Sequence, residues 1–381
     1  MLQYVFVQSV KIHTGIGAIA DIGTLLQEAG YRNAFLVCTK GMVKRGLMAE
    51  IQGYLQQAGV DSVIYDEALP DPPAEIVDRG AELCKAKHCD CVVAVGGGSS
   101  MDTAKGINIL RFNDGSILDY ATAPIQPCSG LIMVPTTSGT GSELSNGAVI
   151  SDPARGVKLP ILCVNCMPEY AILDPQLTVS VPPHVTLETG LDTFSHAAEA
   201  YTSTLSNPMT DLVCEGVMEY VVTYLPKAME NGADLTARQK MQVAAAIGGW
   251  MLYQNCAHVG HSFAHVTGAK LHLVYGVACA YGLPGVLKLI AAVVPDKVRK
   301  IGTILGAAYT GTETPEEIGA KAAAAYRAFV AGLQLPSPEP LAADKIPELA
   351  AGIVAEPFAG LCPVPVTQEV AEILLREAFG N

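Results

Sequence analysis

The stretch Cys91-Val92-Val93-Ala94-Val95, running straight into Gly96-Gly97-Gly98-Ser99-Ser100-Met101-Asp102-Thr103-Ala104-Lys105, constrains this chain more than any other. A continuous apolar run of this kind suits a strand buried on both faces, and that demands helices above and below a parallel sheet. Consecutive glycines let the backbone approach a ligand closely and adopt positive φ. The helix that follows turns its free N–H groups and positive dipole end toward whatever occupies the bend. Strand, glycine turn and helix start together make a cradle for a pyrophosphate. The pattern is not GxGxxG and it follows a late strand, so the expected domain is Rossmann-like, not a standard Rossmann domain.

The flanking sequence repeats the theme. Ala34-Phe35-Leu36-Val37, Ser62-Val63-Ile64-Tyr65, Leu131-Ile132-Met133-Val134 and Ala171-Ile172-Leu173-Asp174 read as further strands, separated by helical segments such as Ile19 to Ala29 and Pro73 to Lys87. After the strand at 131–134 comes Pro135-Thr136-Thr137-Ser138-Gly139-Thr140-Gly141-Ser142-Glu143, dense in hydroxyls and glycines that can bond ribose and phosphate oxygens. It reads as the second wall of one nucleotide cleft at the carboxyl ends of the strands. At Val181-Pro182-Pro183 the texture changes, and helical patterns dominate from there: Thr186 to Thr202, Pro208 to Val222, Ala237 to Cys256, Pro284 to Val294, Glu316 to Leu333 and Gln368 to Phe379. The expectation is an α/β dinucleotide-binding domain over 1–181 and an all-helical domain over 182–381.

The second half carries two pairs at helical spacing, Asp192 with His196 and His261 with His265. Residues i and i+4 share a helix face, so each pair can aim both side chains at one point. Carboxylate and imidazole together suit a divalent transition metal such as iron or zinc. Helices also carry such pairs for solvation or capping. Clustering favours the metal, since His258, His261, His265 and His272 are half of the chain's 8 histidines.

Composition removes other classes. A formal net charge of −13 and the lack of any basic stripe argue against nucleic acid as a partner. The 11 cysteines are scattered singly or in loose pairs, as in reduced thiols. Cys163-Val164-Asn165-Cys166 has no second CxxC to complete a zinc knuckle. No signal peptide is read, and the apolar stretch from Val277 to Val294 is too interrupted to span a bilayer. A soluble cytoplasmic protein without membrane partners is expected.

With these motifs in place, the chain resembles the iron-containing alcohol dehydrogenase family, more distantly related to glycerol dehydrogenase and dehydroquinate synthase. The carrying residues are Gly96-Gly97-Gly98-Ser99 with Asp102 and Lys105, Pro135-Thr136-Thr137 through Gly139-Thr140 and Glu143, Ile172-Leu173-Asp174-Pro175, Gly190-Leu191-Asp192 with His196 and Glu199, and His261 with His265. The resemblance implies a dehydroquinate synthase-like fold, binding of NAD or NADP, a divalent metal (Fe2+ or Zn2+), and oxidation of a small alcohol or reduction of its aldehyde by a homo-oligomer, a homodimer by expectation. Carried over by position, Gly97, Gly98 and Ser99 would hold the pyrophosphate, with Asp102 at the start of the following helix. Thr136, Thr137 and Ser142, with Lys158, would line the nucleotide. Asp192, His196 and His261 fall on three of the family's four metal ligands, and His265 on a histidine given a proton-transfer or substrate-orienting role.

Two departures stand out. The fourth ligand position is Tyr275, followed by Gly276. It leaves three outcomes: a phenolate ligand, replacement by His265 or His272, or a weak or lost metal with Tyr275 as proton donor. The last would suit a metal-independent oxo-acid reductase of the maleylacetate reductase type, or a nucleotide-binding homologue with altered catalysis. The second departure is Thr39, which stands where NAD-preferring members often place an acid. With Lys40 beside it, nothing there repels a 2′-phosphate, a lean toward NADP.

Overall fold

A computed structural model describes residues 4–380. Contacts divide the chain into two compact units: Gln8–Val181, and the chain from Pro182 onward together with the described N-terminal residues. The start of the chain joins the helical unit through Trp250, whose Nε1 donates to the Val7 carbonyl at 2.7 Å and whose ring meets that of Phe6 at 4.7 Å between centroids.

The α/β unit is built on a six-stranded sheet in the order β1-β8-β5-β4-β2-β3. These strands are β1 (Lys11–Thr14), β2 (Asn33–Val37), β3 (Asp61–Tyr65), β4 (Cys91–Gly96), β5 (Leu131–Pro135) and β8 (Tyr170–Leu173), and every pairing is parallel. The helices are α1 (Ile22–Glu28), α2 (Lys40–Lys44), α3 (Leu47–Gln57), α4 (Ala74–Ala86) and α5 (Gly98–Phe112). Every residue of β4 and β5 is buried, and their side chains alternate between two cores. Phe35, Val37, Val92, Ala94, Leu131 and Met133 join Val77 of α4 and Ile107 of α5 on one face. Ala34, Leu36, Val93, Val95, Ile132 and Val134 join Ile22 and Leu26 of α1 and Ile51 and Leu55 of α3 on the other. That period-2 division explains why the sequence shows unbroken apolar runs instead of alternation. An antiparallel hairpin, β6 (Gly147–Asp152) with β7 (Val157–Leu162), was not foreseen, nor was β1.

The second unit, among the described residues, is helical: α6 (Pro183–Thr202), α7 (Pro208–Glu230), α8 (Leu235–Gln254), α9 (Val259–Leu271), α10 (Tyr275–Ile290), α11 (Pro295–Ile304), α12 (Pro315–Gly332), α13 (Ile346–Ala355) and α14 (Gln368–Phe379). One boundary differs from expectation. Pro284, read as a helix start, lies inside α10 and is buried. Proline favours the first turn because its missing N–H costs nothing there. Here the burial of Pro284 and of its neighbours from Gly282 to Leu287 holds the helix together through the lost bond. Among the described residues, no helix is long and apolar enough to cross a membrane.

Candidate functional site

The glycine turn lies at the carboxyl end of β4, between its neighbours β2 and β5. The strand order reverses between β2 and β4, and in open parallel sheets the crevice outside such a switch point receives the ligand. Thr39 follows β2, Gly97, Gly98 and Ser99 follow β4, and Thr136 and Thr137 follow β5, so the structure brings these six residues to one edge. Gly96 has φ +153°, and Thr136 N donates to its carbonyl at 2.9 Å, joining the turn to the hydroxyl-rich loop. A Cβ on Gly98 would stand 2.8 Å from Thr140 Cγ2, so the loop packs against the turn only because glycine is there. No side chain caps α5, which leaves its first N–H groups for a ligand.

Asp102 and Ser142 face inward. Ser142 Oγ donates to Asp102 Oδ1 at 3.0 Å, and Val149 N donates to Asp102 Oδ2 at 3.1 Å. The buried Lys105 Nζ donates to Ser142 Oγ at 2.7 Å, Ser145 Oγ at 3.1 Å and the Gly147 carbonyl at 2.6 Å. Lys105 thus ties α5 to the loop and to β6, a part the sequence reading left unassigned. Burial lowers its ammonium to about 8, opposed by Asp102 and Glu143. Burial likewise raises Glu143 to about 7, with its Oε1 lacking a partner. Lys158 is exposed on the hairpin and pairs with Asp71 at 2.6 Å. Thr39 precedes α2 and bridges to Glu67, while Lys40 is exposed.

In the helical unit, Asp192 and His196 on α6 meet His261 on α9, with candidate ligand atoms all within 4.8 Å of one another. His196 Nε2 lies 3.3 Å from Asp192 Oδ1, and the two imidazoles stack at 4.9 Å. All three residues are buried. Glu199, one turn beyond His196, orients the third: its Oε1 accepts from His261 Nδ1 at 2.7 Å, and its Oε2 accepts from the backbone N–H of His258 at 2.8 Å and of His261 at 3.2 Å. Despite full burial, those partners hold Glu199 ionised, with a pKa of about 2. His261 Nε2 is buried without a partner. Burial pushes Asp192 up to about 7 and His196 well below its ordinary value, whereas Glu199 and Asp192 raise His261 against the effect of burial. A buried carboxyl, two imidazoles and an orphaned ring nitrogen form a donor set that a divalent cation would satisfy. Glu199, noted in the sequence without a role, stands with Asp192 and His196 at positions 0, 4 and 7 of one helix face, a spacing that points to the role seen here.

Tyr275 opens α10. A Cβ on Gly276 would lie 1.8 Å from the Glu188 carbonyl of α6, so only glycine lets the two helices approach here. The Tyr275 ring meets that of His261 edge-on at 5.9 Å. Its hydroxyl is engaged elsewhere, 3.0 Å from His265 Nε2, while His265 Nδ1 lies 2.9 Å from Glu356 Oε2. A carboxylate only accepts, so Nδ1 carries the proton and Nε2 accepts from the tyrosine. Burial raises the Tyr275 hydroxyl well above its ordinary value, reinforced by Cys279, Asp192 and other nearby acids. His272 caps the far end of α9, exposed, and does not join the cluster. Glu356 lies 91 residues beyond His265, and no local pattern announces it.

Models of known families match both halves: the iron-containing alcohol dehydrogenase model over residues 9–175, and its C-terminal counterpart over residues 186–379. The chain belongs to the iron-containing alcohol dehydrogenase family. It is 36% identical to an NAD-dependent methanol dehydrogenase of Bacillus methanolicus, over 83% of this chain and 82% of that one. It is 34% identical to a 1,3-propanediol dehydrogenase of Citrobacter freundii, over 79% of each. Among solved structures, a 1,3-propanediol oxidoreductase superposes with a TM-score of 0.91 at 29% identity, covering 99% of this chain and 100% of the other. A sulfoacetaldehyde reductase of Bifidobacterium kashiwanohense in complex with NAD+ also reaches 0.91, at 26% identity, covering 100% of both chains. Members of the family use NAD and a divalent metal, and this chain is an alcohol dehydrogenase, an oxidoreductase acting on CH–OH groups.

Proposed function

We propose that this enzyme interconverts a short primary alcohol and its aldehyde, with Asp192, His196 and His261 holding the metal and Tyr275 and His265 handling the proton. The observation that carries this reading is the buried cluster with the orphaned His261 Nε2 beside the Tyr275–His265–Glu356 chain. The substrate class is supported by relatives that oxidise methanol and 1,3-propanediol.

Asp192, His196 and His261 would hold a divalent cation, which when bound would supply Lewis-acid polarisation of the substrate oxygen. Glu199 fixes the His261 tautomer so that Nε2 presents a lone pair. Tyr275 stays protonated, and its hydroxyl is one bond from His265 Nε2, a path by which the alcohol proton can leave through His265. Gly97, Gly98, Ser99, Thr136 and Thr137 would line the nucleotide, while Asp102 and Ser142, occupied with each other, brace that edge from within. Thr39 leaves room for a 2′-phosphate, so NADP is the cofactor to test beside NAD. Homodimer formation and a cytoplasmic location belong to the same reading.

The test is oxidation of NADH and of NADPH with short aldehydes, with and without added ferrous or zinc ion. Absence of turnover on every carbonyl compound would overturn the dehydrogenase assignment. Tyr275→Phe should lower kcat about 100- to 10,000-fold while leaving metal content unchanged. Loss of metal in that variant would make Tyr275 a ligand instead.

A further inference from the structure

The CxxC that lacked a partner in the sequence has one in the fold. Cys163 follows β7 directly, and a short helical turn over Val164–Cys166 brings Cys166 back beside it, with the two sulfurs in direct contact. Cys128, in the segment leading to β5, lies against the same turn: its backbone N–H donates to the Asn165 carbonyl at 3.1 Å. The Cys128 and Cys166 thiols share one acceptor, the Gln126 carbonyl, at 3.1 and 3.8 Å. The Asn113 side-chain amide donates to Cys128 Sγ at 3.9 Å. Cys163 and Cys166 are buried, whereas Cys128 is partly exposed, one of only two of the 11 cysteines that are.

We propose that Cys128 and Cys166, with Cys163 behind them, form a dithiol site oxidised by hydroperoxides. Cys128 sulfur attacks one peroxide oxygen, the O–O bond breaks, and the departing hydroxide takes a proton to become water, leaving a sulfenic acid. Cys166 sulfur then attacks Cys128 sulfur, the S–O bond breaks, and hydroxide leaves with the Cys166 proton as a second water. Two thiols and one peroxide thus become one disulfide and two waters, the thiols supplying both electrons. The electrostatics agree with this division of labour. The Cys166 hydrogen bond, Arg111 and Asn113 lower Cys128 against the opposing effect of burial, while Cys166 is raised, first by its bond to Cys128 and then by burial. Cys128, partly exposed and the more acidic of the two, is therefore placed to attack, and the buried Cys166 to resolve. The site lies within the α/β unit and stands independently of the proposed metal and proton roles.

The experiment treats the reduced, full-length enzyme with one equivalent of hydrogen peroxide, alkylates the remaining thiols, and maps peptides by mass without reduction. In Cys163→Ser, where exchange to Cys163 is impossible, the expected product is a Cys128–Cys166 linked peptide pair lighter by two hydrogens, reversed by dithiothreitol. Cys128→Ser should give no such pair and should keep full dehydrogenase activity. Should Cys163→Ser fail to fold, the parent enzyme serves: Cys128 and one cysteine of the CxxC must disappear together from the alkylated pool, and Cys128→Ser must protect the CxxC. Cys128 fully alkylated after treatment, or oxidised to sulfinic acid with Cys166 still alkylated, would overturn the proposal.

Discussion

At the residue scale, two carboxylates meet opposite fates although both are buried. Glu199 accepts from an imidazole and two backbone N–H groups and stays ionised, whereas Glu143 has an oxygen with no partner and is pushed up to about 7. Glu199→Gln removes the negative charge and one of the two oxygens that accept from His261 and from the backbone N–H groups of His258 and His261. Metal affinity, measured by titration against a competing chelator, should fall roughly 10- to 100-fold. For Glu143 the effect appears in stability. Its folded pKa exceeds the unfolded value of 4.5, so the folded state holds the proton more tightly between about 4.5 and 7. The corresponding stability is present below that window and lost as pH rises through it. Glu143→Gln should flatten the decline and, above pH 7, exceed the parent by about 3 kcal/mol in denaturant titrations. A parent whose stability holds level from pH 4.5 to 7 would contradict the assignment.

At the element scale, glycines decide how closely helices meet. Gly276 lets the start of α10 approach α6, and through that contact Tyr275 reaches His265. Gly276→Ala must move one helix and should cost about 1–3 kcal/mol. Gly53, inside α3, has nothing within 4 Å of a built Cβ, so Gly53→Ala should instead stabilise by about 0.5–1 kcal/mol. Urea unfolding of the two variants beside the parent checks both signs. Lys105 does for the α/β unit what Gly276 does for the helical one: three hydrogen bonds from one ammonium join α5, the loop after β5 and β6.

At the scale of the whole molecule, a cation held by the cluster would be coupled to the folding of the helical unit, because α6 and α9 carry the candidate ligands and bring them together only when folded. A cation at 100 times its dissociation constant should add about 3 kcal/mol to that unit, and chelation should remove it. Trp250, the chain's single tryptophan, lies on α8, so its fluorescence reports the helical unit selectively. Its thermal midpoint should drop by several degrees on chelation and recover on adding ferrous or zinc ion. An unchanged midpoint would show that the cluster holds no metal.

Local pattern was enough to reveal the α/β class, the glycine turn on its buried strand, the change to helices near Val181-Pro182-Pro183, and the i,i+4 spacing of Asp192 with His196 and of His261 with His265. Each of these is written in periods of 2 or 3.6 residues, or in residue types with narrow conformational use, so neighbours along the chain carry the information. The hairpin of β6 and β7, Pro284 inside α10, the bracing role of Lys105, and the convergence of Cys128 on the CxxC depended on contacts between distant segments. Tyr275 shows the difference most plainly. The sequence left it as ligand, bystander or proton donor, and only packing turned its hydroxyl to His265, with Glu356 holding the far side of the ring. Hydrogen-bond partners are chosen among whatever tertiary folding brings within about 3 Å, and spacing along the chain does not encode that choice.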